Sequence, residues 1–277
     1  MHTCRTRTLI EEVQTDGHSP LKFLCDDGEL YYCKYLVRSN TQELDFLAYE
    51  VVSHYLLQAI DLPTPTIALV EVLVDSYRTD QLRANRRFLK PGAICFGSRA
   101  QSNADLVRQT EAVCSSRTFK TLLNPYDLIR LAVFDIWADN TDRGRAFNGG
   151  YNYNLLRVPA EGKTQFVAFD NAFTFGGQNG VRVFNPDWPV EPGTRLITSP
   201  YYKAVVKHIP ATRRFTVAKD CLTLCYERGE KAVHTAFDRL PPSWTTPPPL
   251  RERMVNFLLD IQRRDRVEAL INQYIEF

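Results

Sequence analysis

The period of the apolar positions changes along the chain in a definite order. Residues 22–36, KFLCDDGELYYCKYL, hold two apolar runs split by Asp26-Asp27-Gly28. An Asp-Gly turn between such runs predicts a β-hairpin. In residues 41–60 the apolar positions Leu44, Leu47, Ala48, Val51, Val52, Tyr55 and Ala59 recur at three- and four-residue intervals. That spacing predicts a long amphipathic helix, which Asp61-Leu62-Pro63-Thr64-Pro65 ends because proline cannot continue it. TIALVEVLVD (66–75) then reads as a strand. This part of the chain is expected to be a small sheet with one helix packed on it.

AICFGSRA (93–100) is a short apolar segment running into Gly97, and the polar stretch after it is a candidate connector between two lobes. A further helix is predicted from Asn124-Pro125, an N-cap residue followed by proline at the first helical position, to about Ala138. YNLLRV and TQFVAF read as two short strands around the turn PAEGK, the second ending at Asp170. The remainder has a helical pattern interrupted by the proline-rich stretches 185–193 and 239–250, and it closes on an amphipathic helix from about Leu250. No internal repeat is found. A division into a β-rich lobe, 1–100, and a mainly helical lobe, 101–277, follows.

Composition narrows the function classes. The apolar share of 44% and charged share of 24% are those of a globular protein, and a net charge of +2 without long single-sign blocks gives no nucleic-acid signal. No stretch approaches the roughly 20 apolar residues of a membrane span, and MHTCRTRTLIEEV lacks the apolar core of a secretory signal. A cytoplasmic protein is expected. Seven cysteines show no tight metal spacing, so they read as reduced structural thiols, with Cys221 and Cys225 on one helix face.

The chemistry-bearing residues concentrate in FDIWADNTDRGRAFNGGYNYNLLRV (134–158) and VAFDNAF (167–173). Together with Lys34 on a strand and Glu50 on the first helix, these supply a cation, carboxylates and amides. Phosphoryl transfer needs those groups: a cation on the phosphates, hard oxygen ligands for magnesium, and a carboxylate to orient the attacking hydroxyl. Each also has a plainer reading. Lys34 could be a protective edge-strand lysine, Glu50 a solvated helix residue, and Asp139, Asn140 and Asp142 helix-end residues satisfying local backbone. Asp170 is harder to read plainly, because a carboxylate between apolar runs is usually paired.

In family order the segments GELYYCKYL, YEVVSHYLLQAIDLPTP, CFGS, FDIWADNTDR, NLLRV, VAFDNAFTFGG, LPPSW and FLLDIQRRDRVEALI span nearly the whole chain. The chain resembles the HipA-like serine/threonine kinases. The resemblance implies an α+β, two-lobed fold of the protein-kinase and phosphoinositide-kinase type, using ATP and Mg2+. By motif, Lys34 resembles the phosphate-contacting lysine and Glu50 its helix partner. Gly28 and its acidic neighbours resemble the turn covering the phosphates, and Phe96 lies where the adenine hinge is expected. Asp142 matches the catalytic aspartate, and Asp170 and Asn154 the metal ligands. The acceptor implied is a Ser/Thr hydroxyl on a protein, in some members within a growth-arresting toxin restrained by a separate antitoxin. One departure stands out: the family reaches its asparagine about five residues after the catalytic Asp, whereas Asn154 lies twelve residues after Asp142. Asn148 and Asn152 are therefore rivals for the metal, and the inserted FNGGYN either bulges outward or marks altered chemistry. An ATP-binding pseudokinase and a kinase of small molecules or lipids remain alternatives.

Overall fold

The computed structural model describes residues 1–15, 19–35, 43–84, 86, 87, 89–177, 183–193 and 195–275. Strands β1 (His2–Glu12), β2 (Leu21–Cys25), β3 (Leu30–Lys34), β4 (Ile67–Glu71) and β5 (Ile94–Arg99) form a closed barrel in the order β1-β2-β3-β5-β4. The expected hairpin is present, and it pairs antiparallel with Phe23 opposite Tyr31. Alternation sends Tyr31 and Cys33 into the barrel and Lys34 out of it.

Strand β1 carries no clean sequence signal. Its inward positions include Thr6, buried and hydrogen-bonded to Ser76 Oγ at 2.7 Å. Register shifts between Thr6 and Thr8 and between Leu9 and Glu11 break the two-residue period on which strand recognition rests.

Helix α1 (Glu43–Ala59) follows the barrel hairpin as its spacing predicts. Beyond the barrel come β6 (Asp105–Leu106), α2 (Ser116–Lys120) and α3 (Asp127–Trp137). The α3 start lies later than expected. Asn124 and Pro125 form a preceding turn in which Asn124 Nδ2 donates to Asp127 Oδ1 at 2.7 Å. Next are β7 (Arg145–Phe147), β8 (Gly150–Asn152), β9 (Leu155–Ala160) and β10 (Lys163–Ala168), with β9 pairing both β10 and β6. Helices α4 (Pro200–Val206), α5 (Ala211–Phe237), α6 (Leu250–Leu259) and α7 (Ile261–Ile275) complete the chain. The single terminal helix expected from Leu250 is broken at Asp260, whose backbone turns extended and whose Oδ1 accepts from Arg263 N at 2.7 Å.

Two apolar cores result. One fills the barrel with Leu21, Phe23, Tyr31, Val70 and Cys95. The other joins α1 to α3, α5 and the terminal helices. Helix α1 contributes its apolar face to the helical layer. Gly229 on α5 allows that layer to close: a Cβ there would lie 2.8 Å from the Trp137 ring. Trp137 in turn donates from Nε1 to the Leu258 carbonyl at 3.0 Å.

Candidate active site

Lys34 stands at the last position of β3, facing α1, with its ammonium 2.5 Å from Glu50 Oε1 and 2.6 Å from Asp170 Oδ1. Three separate elements meet on this one cation. Burial alone would lower the lysine pKa, but the charges of Asp170 and Glu50 outweigh it and raise it. Glu50 is almost fully buried and its pKa is raised by that burial, only partly offset by Lys34. Asp170 goes the other way: burial pushes it up, but Lys34 and then Arg143 hold it below the usual carboxylate value. Glu50 Oε2 also accepts from Asn171 N at 2.9 Å, which fixes the segment after β10 against α1.

The loop after α3 is organised by buried polar groups rather than by apolar packing. Asn140 accepts at Oδ1 from the backbone N–H groups of Asp142 and Arg143, at 3.1 and 3.4 Å. Its Nδ2 donates to Asp135 Oδ1 at 3.1 Å. Arg143 is fully buried, pairs with Asp135 at 3.1 Å, donates to the carbonyls of Asn154 and Phe169, and reaches Asn171 Oδ1. A single guanidinium thus binds the end of α3, the start of β9 and the end of β10. Burial drives Asp135 up to about 6 against the pull of Arg143. Arg195 supports the same loop from outside, donating to Asp139 Oδ1 at 2.5 Å and to the Asp135 carbonyl at 3.0 Å.

Asp142 is the carboxylate this cradle presents. Its Oδ2 accepts from Asn152 Nδ2 at 2.7 Å and from Asn154 Nδ2 at 2.8 Å. Burial and the nearby charge of Asp170 raise its pKa, and the two amide donors work against that rise. Asn154, at φ +44°, also donates to the Asp170 carbonyl at 3.3 Å. Its amide nitrogen is thereby committed, and the amide oxygen is what it retains for a cation. With Asp170 this gives hard oxygen donors of the kind Mg2+ prefers.

The extra residues between Asp142 and Asn154 fold as a self-contained unit. Strands β7 and β8 pair as a hairpin around Asn148-Gly149, both at positive φ. Its base is closed by Gly144 N donating to the Asn152 carbonyl at 2.6 Å. Gly144 is required there: at φ +80°, a Cβ would meet Leu196 N at 2.2 Å. Asn148 sits at the exposed hairpin tip, apart from the carboxylates.

Phe96 is buried on β5 and pairs directly with Lys34 across the β3–β5 ladder. Gly28 is not brought to the site. It precedes β3 while Lys34 ends it, and six residues of extended chain put them about 20 Å apart. By alternation of strand direction, the barrel end at Lys34 is the one where β1 ends and β2 begins.

The model of the HipA-like kinase family matches residues 9–191, well over half of the chain. The chain belongs to the HipA-like kinase family. Membership in a kinase family supports a phosphotransferase. No curated protein matches the chain. Among solved structures, it is similar to the Helicobacter pylori proinflammatory kinase CtkA, at 14% identity and a TM-score of 0.48, over 96% of this chain and 97% of that one. No helix among the described residues is long and apolar enough to cross a membrane.

Proposed function

We propose that the protein is an ATP-dependent phosphotransferase whose nucleotide lies between the barrel and the helical layer, as two lobes of one kinase unit. The observation that carries this reading is the convergence of Glu50 and Asp170 on the Lys34 ammonium. Strand lysine, helix glutamate and post-strand aspartate are the parts that hold a triphosphate and its metal in kinases. Lys34 supplies a fixed point charge to phosphate oxygens, and Glu50 keeps it in place. Asp170 and Asn154 would hold Mg2+, which neutralises charge on the transferring phosphoryl group. Asp142 orients the acceptor hydroxyl, and the amides of Asn152 and Asn154 keep its carboxylate in one rotamer.

The inserted hairpin supports an active enzyme over a pseudokinase. Gly144 and Asn152 close it at the base, so Asp142 and Asn154 keep direct contact despite the longer loop. The acceptor in this reading is a Ser/Thr hydroxyl on a protein, with growth regulation and a separate restraining partner as the setting the family suggests. Incubation with γ-labelled ATP and magnesium, once with cell extract and once with pooled small metabolites, tests the acceptor. Label in acid-stable protein bands supports a protein kinase; label only in small molecules or lipid contradicts that part of the reading.

A further inference from the structure

The end of the barrel remote from Lys34 carries a second cluster of reactive side chains that phosphoryl transfer does not use. His2 and Cys4 are two residues apart on β1 and so share a face, Cys4 buried and His2 exposed at the barrel's rim. Asp27 enters from the turn between β2 and β3. One ligand atom from each of His2, Cys4 and Asp27 lies within 4.8 Å of the other two. The thiol of Cys25, the last residue of β2 and fully buried, lies in hydrogen-bonding reach of Cys4.

We infer that His2, Cys4 and Asp27 form a binding site for a thiophilic divalent cation, zinc by its chemistry, that closes this end of the barrel. One thiolate, one imidazole and one carboxylate are ligand types that zinc takes, and three protein ligands leave a fourth tetrahedral position to water. Zinc bonds of about 2.0–2.3 Å place tetrahedral ligands roughly 3.3–3.8 Å apart, so the cluster needs a contraction of about 1 Å. The ligand that moves is His2, whose side chain is 46% exposed. A supporting contact is in place: Tyr31 Oη donates to Asp27 Oδ2 at 2.8 Å. Such an outer partner orients a metal-binding carboxylate. Sequence spacing conceals the site because its ligands, a His-x-Cys pair and Asp27, lie more than twenty residues apart and are joined only by strand pairing. The cation would tie the start of β1 to the β2–β3 turn and release a proton from the Cys4 thiol on binding.

The test is titration of the purified, reduced and metal-stripped full chain with Co2+, a spectroscopic substitute for zinc, followed by competition with Zn2+. The expected result is uptake of one equivalent with thiolate-to-cobalt charge-transfer absorption, displaced by one equivalent of zinc. His2→Ala, at an exposed residue, and Cys4→Ser should each weaken binding at least about tenfold, since even outer partners contribute that much. Asp170→Asn should leave the charge-transfer band unchanged, which separates this site from the phosphoryl-transfer site. Absence of the band in protein whose thiols all react with a thiol reagent would overturn the inference. So would a band that survives both His2→Ala and Cys4→Ser, which would put the metal on other cysteines.

Discussion

Lys34 and Asp170 are 136 positions apart in sequence, and their side chains meet at 2.6 Å. That contact joins the barrel to the segment following β10, and Glu50 on α1 shares the same ammonium at 2.5 Å. Removing the lysine leaves two adjacent carboxylates facing each other, so Lys34→Met should shift Glu50 further toward its neutral form. Because Asp170 is about one-third exposed, solvent moderates the structural cost to about 1–3 kcal/mol. The cost to phosphoryl transfer should be larger, about a hundredfold or more, as for other preorganised charges at a transition state. Thermal unfolding beside a transfer assay separates the two effects.

The Arg143–Asp135 pair makes a different prediction. Both side chains are almost wholly buried, and the arginine also satisfies two carbonyls and Asn171. Asp135→Ala strands a buried guanidinium and should destabilise the protein by about 3–5 kcal/mol, measured by urea unfolding. A loss below about 1 kcal/mol would mean that Arg143 finds another partner and is not the hub of the loop.

The three asparagines after Asp142 should separate cleanly. Asn148→Gly, at the exposed hairpin tip and at a φ glycine accepts, should leave turnover within about twofold of wild type. Asn154→Ala removes both a donor to Asp142 and an oxygen offered to the metal, and should reduce turnover about a hundredfold or more. Asn152→Ala should fall between them, its effect confined to the orientation of Asp142. Titrating magnesium against each variant checks the assignment, since only Asn154→Ala should raise the metal concentration required.

His54 gives a pH prediction. It is buried on α1, and burial, helped by the N-terminal charge, holds its pKa down to about 4. In the unfolded chain the imidazole titrates near its ordinary value of about 6.5. Between those values the unfolded state binds the extra proton, so stability falls as pH drops through that window, by about 2 kcal/mol at pH 5. Asp127 and Asp135, both driven up to about 6 by burial, act in the opposite sense and gain as pH falls. The check is therefore a difference: His54→Gln should lose less stability than wild type between pH 7 and pH 5, by urea unfolding.

The legible parts of this chain were those with local period or local turn chemistry. The hairpin at Asp26–Gly28, the helix at Glu43–Ala59 and the β9–β10 pair all follow from spacing alone. Lys34, Glu50, Asp142, Asn154 and Asp170 converge in space, although which roles they share rested on motif order, because no spacing rule joins residue 34 to residue 170. Gly28 shows the limit of local reading: a turn residue was visible, but strand direction decides at which end of the barrel a turn sits. Strand β1 escaped notice because its inward threonine and its bulges erase the alternation. The roles of Asn140, Arg143 and Asn171 also exceeded local reading. Each lies inside a motif, yet a buried arginine bonded to three backbone segments has the same sequence signature as a solvated one.

The central claim is that Asp142 orients the acceptor hydroxyl while Asp170 holds the metal on the nucleotide. The most direct measurement is single-turnover transfer of label from γ-labelled ATP with magnesium and cell extract, for wild type, Asp142→Asn and Asp170→Asn, beside nucleotide-dependent thermal stabilisation. The account predicts transfer by wild type only. It also predicts that Asp142→Asn retains stabilisation by Mg-ATP and that Asp170→Asn loses most of it. Transfer near the wild-type rate in either variant, or stabilisation by Mg-ATP without transfer by the wild type, would contradict it.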